Sequence, residues 1–156
     1  IYSVGMFEHV GKKFYNVFFK SISKLLKDDG IFLLHTIGVV DKPTPPNKFI
    51  NKYIFPGGIC PSLSQIAKPI EKTGLIVADT ETLIRHYDKT LLSWLSRFMA
   101  KKDLVKDMFD EKFVKMWSFY LASCAAAFRY RDLAVFQLQI VKNFNTARAT
   151  RDYIYS

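Results

Sequence analysis

A chain of 156 residues, 49% apolar and 15% aromatic, is long enough for one domain with its own core and too hydrophobic for a disordered tail. Its 23 Lys and Arg against 14 Asp and Glu give a formal charge of +9, a surface that attracts polyanions such as nucleic acid or an anionic lipid leaflet. No run approaches the ~18 consecutive apolar residues of a membrane span, no basic-then-apolar leader opens the chain, and no RGG tract, zinc knuckle or RNP-like aromatic motif supports nucleic acid. A cytoplasmic chain is expected, with Cys60 and Cys124 as reduced thiols, because they lie far apart and form no CxxC pair.

The chain opens on "IYSVGM", an apolar run suited to a buried strand, followed by "FEHVG" as a turn. Starting inside that pattern without an initiator Met, it is expected to be a piece of a longer protein. Over residues 12–26, Phe14, Val17, Phe18, Ile22, Leu25 and Leu26 fall at helical spacing, and "DDG" at 28–30 stops the helix. "IFLLHTI", 31–37, is almost continuously apolar, as strands buried on both faces of a parallel sheet are. Strand, helix and strand in this order predict a right-handed crossover.

"VVDKPTPPNKF" carries Pro43, Pro45 and Pro46 and predicts an irregular connection or lid; "INKYIFPGG" reads as aromatic and then sharply turned. Ser62 with Gln65 three residues on forms a capping box for a helix through "SLSQIAKPIEKTG", which Pro69 should kink or shorten. "LIVADTETLI" is the next strand and "DKTLLSWLSRFMAKK" the next helix, with Asp88 near its cap. A second helix over 110–128 places Phe113, Met116, Trp117, Tyr120, Leu121, Cys124, Ala125 and Phe128 on one stripe. "LAVFQLQIV" is the last strand, and 143–156 a polar tail expected to fray. The alternation predicts an α/β sheet over 1–142, with a helical layer inserted between its last two strands.

In an open parallel sheet, ligands bind beyond the carboxyl ends of the strands. Glu8 follows the first strand, His35 lies toward the carboxyl end of the second, and Tyr87 sits between the third strand and its helix. The three converge on one rim. Each also has a plainer reading: Glu8 as an acid favoured at a helix entrance, His35 as a satisfied core histidine, Tyr87 as an interfacial aromatic. His9 and His86 read as structural, and Cys124 as core. No HxxxH or HxxE spacing supports a metal, no GxSxG supports a serine nucleophile, and the seven glycines never fall as GxGxxG. These residues offer a substrate rim without a cofactor loop.

With "SVGMFEHVG", "GIFLLHTIG", "NKYIFPGG", "PSLSQIA", "HYDKTLLSW" and "YLASCAAAFR" in this order, the chain from about residue 1 to 139 resembles the carboxyl-terminal part of the cyclopropane-fatty-acyl-phospholipid synthases and the related mycolic acid cyclopropane synthases. The resemblance implies the carboxyl-terminal half of a seven-stranded, Rossmann-like S-adenosylmethionine-dependent methyltransferase fold, holding strands four to seven. The seventh would be inserted antiparallel beside the fifth, with the lipid-binding helices between the sixth and seventh. The activity implied is transfer of a methylene from S-adenosylmethionine to the cis double bond of a phospholipid acyl chain. Bicarbonate would be the base, held at positions matching Glu8, His35, Tyr87 and the backbone N–H of Ile37. Tyr120, Cys124 and Phe128 on the apolar stripe would face the acyl chain, or simply be core.

The chain departs from the family pattern in its missing amino-terminal half, where the glycine-rich cofactor loop and a further cysteine would lie. Alone, it is expected neither to bind S-adenosylmethionine nor to methylate lipid. The basic surface then suits transient contact with the anionic inner face of the membrane, and the strand edge at "IYSVGM" could pair with a second copy in a homo-oligomer. Two alternatives remain open: a related methyltransferase acting on lipid or a small amine without ring closure, and a noncatalytic basic membrane-association module. The Glu8, His35 and Tyr87 set favours ring closure.

Overall fold

The short β1, Tyr2–Val4, lies parallel to β2, Ile31–Val39, with Tyr2 opposite Leu33 and Val4 opposite His35 in a computed structural model that describes residues 1–45 and 47–155. Pro46 of the proline segment and Ser156 of the tail lie outside the described residues. The last strand, Leu133–Val141, pairs antiparallel with β2 from Ile31–Val141 to Val39–Leu133. Its other edge takes the strand Ile76–Ile84, also antiparallel. Numbered in chain order the sheet reads β1-β2-β4-β3, so the carboxyl-terminal strand sits inside it, as the resemblance implied.

The sheet is therefore mixed, and β2 is not the doubly buried parallel strand that its composition suggests. Phe32, Leu34 and Thr36 are fully buried, whereas Leu33, His35 and Ile37 are half-buried. One face of the sheet packs on α1, Tyr15–Leu25, and α3, Leu63–Glu71, through Phe7, Phe19, Phe32, Ile66 and Phe136. The other face meets α4, His86–Met99, and α6, Glu111–Tyr130, where Leu91, Tyr120, Leu121, Phe128 and Val135 form a second cluster joined by Ile37 and Leu83. These helices and α5, Lys102–Met108, are the layer inserted between β3 and β4.

The helical bounds shift from the sequence reading for local reasons. A 3₁₀ turn at Lys12–Phe14 precedes α1, whose buried row is Tyr15, Phe19 and Ile22, continued by Leu26; Val17 and Leu25 face solvent. The segment has more apolar residues than one stripe can bury, and only the row against Phe7 is covered. A six-residue helix, α2, Lys48–Tyr53, replaces the irregular aromatic segment because the Asn47 side chain accepts hydrogen bonds from the N–H groups of Phe49 and Ile50, at 2.9 and 3.3 Å. Gln65 reaches back to the Ser62 N–H at 3.1 Å, and α3 ends two residues past Pro69. Asp110 caps α6 through the Phe113 N–H at 2.6 Å. Helix α4 begins at His86, so Tyr87 and Asp88 lie inside its first turn rather than before it.

The tail does not fray. Asn143 donates to the Asp28 carbonyl at 2.9 Å, Gln139 donates to the Tyr153 hydroxyl, and the Arg151 guanidinium grips the Asp79 carboxylate, with Nε at 2.8 Å. These contacts tie the segment to β3 and β4. Among the described residues, no helix is long and apolar enough to cross a membrane.

Candidate active site

The strand β1 ends because Gly5 adopts φ 64°, a left-handed conformation that turns the chain off the sheet. Its last ladder bond runs from the Gly5 N–H to the His35 carbonyl at 3.1 Å. Two residues further along the same edge of β2, the Ile37 N–H has no strand to pair with. The 3₁₀ turn Phe7–His9 brings Glu8 over that edge, and its Oε1 accepts the Ile37 N–H at 2.7 Å. The carboxylate thus continues the ladder where β1 stops.

This differs from the expected donation of the Ile37 N–H to an external anion, because Glu8 itself takes that hydrogen bond. The rest of the carboxylate is the chemically telling part. Glu8 is 8% exposed, and its Oε2 is buried without a hydrogen-bonding partner among the described residues. The Tyr15 hydroxyl is in the same condition, in a side chain 2% exposed whose ring stacks on Phe7 at 4.3 Å. Burying such groups unsatisfied is costly, so these two atoms mark a place that favours a polar guest.

His35 lies opposite Gln137 in the β2–β4 register, and its Nδ1 is 3.0 Å from the Gln137 Nε2. In the tautomer where Nδ1 accepts from the Gln137 amide, Nε2 carries the hydrogen and can donate. The hydrogen-bond partner of His35 is Gln137, and among the described residues no direct bond joins it to Glu8 or Tyr87.

Tyr87 is held by ring contacts with Phe128 at 5.2 Å and Trp94 at 5.9 Å. Below it, Asp88 is 5% exposed and bound to the Arg129 Nε at 2.7 Å, tying the first turn of α4 to the last turn of α6. That guanidinium holds the Asp88 carboxyl below the usual range. Burial, then the Glu8 charge, raises the Tyr87 hydroxyl above its ordinary value, so Glu8 and Tyr87 lie within each other's field.

Tyr120, Cys124 and Phe128 all belong to the cluster under α4 and α6. Burial, then Cys124 and Tyr87, pushes the Tyr120 hydroxyl up to about 12, and burial pushes the Cys124 thiol to about 11. Phe128 is 2% exposed beneath Tyr87, where it acts as a packing support for that ring. His9 packs edge-on against Phe55 at 5.6 Å, a supporting position.

Sequence reasoning overlooked Tyr15, Cys60 and Gln137. Cys60 borders the same region, its thiol pushed up to about 12 by burial and then by the Glu8 charge. The alternation of Gln137 with apolar residues carried a signal for the His35 partner, legible only once β4 is paired beside β2. Nothing local in the sequence joins Tyr15 or Cys60 to Glu8, because their proximity is tertiary.

Residues 1–138 match the family described as mycolic acid cyclopropane synthetase. The cyclopropane-fatty-acyl-phospholipid synthase of Escherichia coli strain K12 is 44% identical over 138 residues, covering 88% of this chain and 36% of that protein. The chain thus spans about a third of that relative. The sphingolipid C9-methyltransferase 2 of Gibberella zeae is 32% identical over 151 residues, covering 94% of the chain and 29% of its own length. Among solved structures, the mycolic acid cyclopropane synthase CmaA1 complexed with SAH and CTAB superimposes with a TM-score of 0.82 at 33% identity, over 90% of this chain and 54% of that one. The mixed sheet with its internal antiparallel strand, the helices between β3 and β4 and these matches together show that the chain belongs to the mycolic acid cyclopropane synthetase family of S-adenosylmethionine-dependent methyltransferases.

Proposed function

We propose that this chain is the carboxyl-terminal part of a cyclopropane fatty acid synthase that adds a methylene to the cis double bond of a phospholipid acyl chain. The observation that carries the reading is the Glu8 carboxylate, with Oε1 fixed by the Ile37 N–H and Oε2 buried and unpartnered beside the Tyr87 field. A reaction that attaches a methyl group to an alkene develops positive charge on carbon, and a preorganised anion in a buried site stabilises that charge. Glu8 supplies the anion, and the Tyr87 and Tyr120 rings offer electron-rich faces to a cation.

S-adenosylmethionine, when bound, supplies the methyl group, and bicarbonate, when bound, supplies a base for the proton lost on ring closure. The side chains fit bicarbonate in part: the free Glu8 Oε2 suits its O–H, and the His35 Nε2–H and the Tyr87 hydroxyl suit its oxygens. The Ile37 N–H does not join them, because Glu8 holds it. Residues for S-adenosylmethionine are expected from sequence outside this chain, and the isolated chain is proposed to be inactive. Tyr120 and Cys124 are the side chains proposed to meet the acyl chain, with Phe128 behind them.

A second reading, C-methylation without ring closure, is favoured by the likeness to the sphingolipid methyltransferase. N-methylation and a purely noncatalytic membrane role leave the buried Glu8 carboxylate without a task. We place the protein in the cytoplasm and at the inner face of the membrane.

Lipid mass spectrometry of the full-length enzyme tests the function. The expected product is an unsaturated acyl chain gaining CH₂ with loss of its double bond. A methyl branch that retains unsaturation selects the second reading, and a methyl on nitrogen defeats both. The Glu8→Gln substitution keeps an oxygen for the Ile37 N–H and removes the charge. It should lower turnover about 10²-fold to 10⁴-fold without loss of the fold.

A further inference from the structure

The shoulder between α2 and α6 carries exposed aromatic rings inside a border of lysines. Phe119 precedes Tyr120 of the buried stripe by one residue, so it projects about 100° around the helix from it. It is 58% exposed, and its ring meets that of Phe49 edge-on at 4.9 Å. Phe49 in turn packs near Tyr53 at 5.5 Å, and Tyr53 is 46% exposed beneath the Lys52 ammonium, 5.0 Å from the ring centre. Lys48 lies one turn before Lys52 on α2. On α6, Lys112 and Lys115 stand seven and four residues before Phe119, on the same helix face.

One acid in this stretch offsets a lysine and another caps a helix. Glu111 bridges Lys115 at 2.9 Å and Lys106 at 3.5 Å, and Asp110 accepts the Phe113 N–H as the cap of α6. With Lys115 paired to Glu111, the exposed Lys48, Lys52 and Lys112 are the cations that border the apolar centre.

The shoulder also leads inward. Phe55, just beyond α2, lies 6.0 Å from the Tyr120 ring and 5.6 Å from His9, the neighbour of Glu8 in sequence. The Ile59 N–H then donates to the Glu8 carbonyl at 2.8 Å. One short segment thus connects the exposed rings to the turn that carries the carboxylate.

We propose that the α2–α6 shoulder is the docking surface for an anionic lipid leaflet. Lys48, Lys52 and Lys112 face the headgroups, while Phe119 and Tyr53 enter the interface between headgroups and acyl chains. A second copy of this chain is the poorer occupant, because a twofold contact through this face sets lysines against lysines. This location rests on the proposed action on phospholipid and identifies which face approaches it.

The test is co-sedimentation of the 156-residue chain with phosphatidylglycerol–phosphatidylcholine vesicles and with phosphatidylcholine alone. Binding is expected only to the anionic vesicles. The triple variant Lys48→Glu, Lys52→Glu, Lys112→Glu should reduce it at least about tenfold. The matched control Lys20→Glu, Lys24→Glu, Lys27→Glu changes three exposed lysines of and beside α1 and should retain most of the binding. Phe119→Ser, with an unchanged circular dichroism spectrum, should also weaken it. Equal losses in the two triple variants, no effect of Phe119→Ser, or no vesicle binding would each overturn the assignment. In the full-length enzyme, the shoulder variants should retain turnover on detergent-dispersed phospholipid and lose it on vesicles. Loss on both would overturn the docking role, whereas a wild type inactive on either form would count against the catalytic reading alone.

Discussion

At the scale of single residues, burial around Glu8 sets the behaviour of its neighbours. The Cys60 thiol is raised from 9.0 to about 12, first by burial and then by the Glu8 charge; Tyr15 rises from 10.0 to about 12, with burial again the largest cause. Both groups stay neutral at physiological pH, so neither thiolate nor phenolate chemistry is on offer there. In the unfolded chain they ionise at their ordinary values. The folded state therefore keeps its full advantage below about pH 9 and loses it progressively as pH climbs from there toward 12. We predict an alkaline loss of stability in that window. Replacing Cys60 by Ala should lessen the loss between pH 8 and pH 10 by about 1 kcal/mol, as read from urea midpoints. An unchanged slope would mean that the thiol ionises as readily in the fold as outside it.

At the scale of elements, close approach decides what β2 can tolerate. A Cβ on Gly38 would stand 2.4 Å from the Phe136 ring of β4 and 2.4 Å from the Pro61 carbonyl leading into α3. Neither neighbour is the loose end of a flexible chain. Gly38→Ala is therefore predicted to destabilise the protein by about 2–3 kcal/mol, lowering the melting temperature by roughly 5–10 °C. The same element shows what sequence could convey. Its existence was readable from "IFLLHTI", since a long apolar β-branched run between turn signals has few other uses. Its parallel and antiparallel neighbours were not, because alternation of burial is a property of pairing and not of composition. Helix α6 was legible from a stripe whose Tyr120, Leu121, Ala125 and Phe128 are buried, whereas α1 was misread in detail because hydrophobic residues occupied two of its faces. The short α2 and α5 fall below the length at which periodicity speaks, and only Asn47 and its two capping bonds reveal why α2 forms. Of the site, Glu8, His35 and Tyr87 came from strand ends and from family likeness. Tyr15, Cys60 and Gln137 depend on contacts across the fold.

At the scale of the whole molecule, charge and topology carry different messages. The net charge of +9 suggests an anionic partner but points to no face; the proposed face rests on exposed rings beside Lys48, Lys52 and Lys112. The tail likewise gains meaning only from its partners Asp28 and Asp79, which lie far upstream in sequence.

The position of β4 has a consequence in time. Val39 pairs with Leu133 and Ile31 with Val141, so nearly the whole chain must exist before the centre of the sheet can form. Until then β3 has no ladder to join, because β4 supplies its pairing. Closing so large a loop carries an entropic cost that local helix contacts do not repay early, which marks this as a slow folder. A chain ending at Asp132 should consequently lack the cooperative melting transition of the 156-residue chain, while helices α4 to α6 retain partial helicity by circular dichroism. During synthesis, this part of the nascent chain would remain exposed to proteases and chaperones until β4 leaves the ribosome.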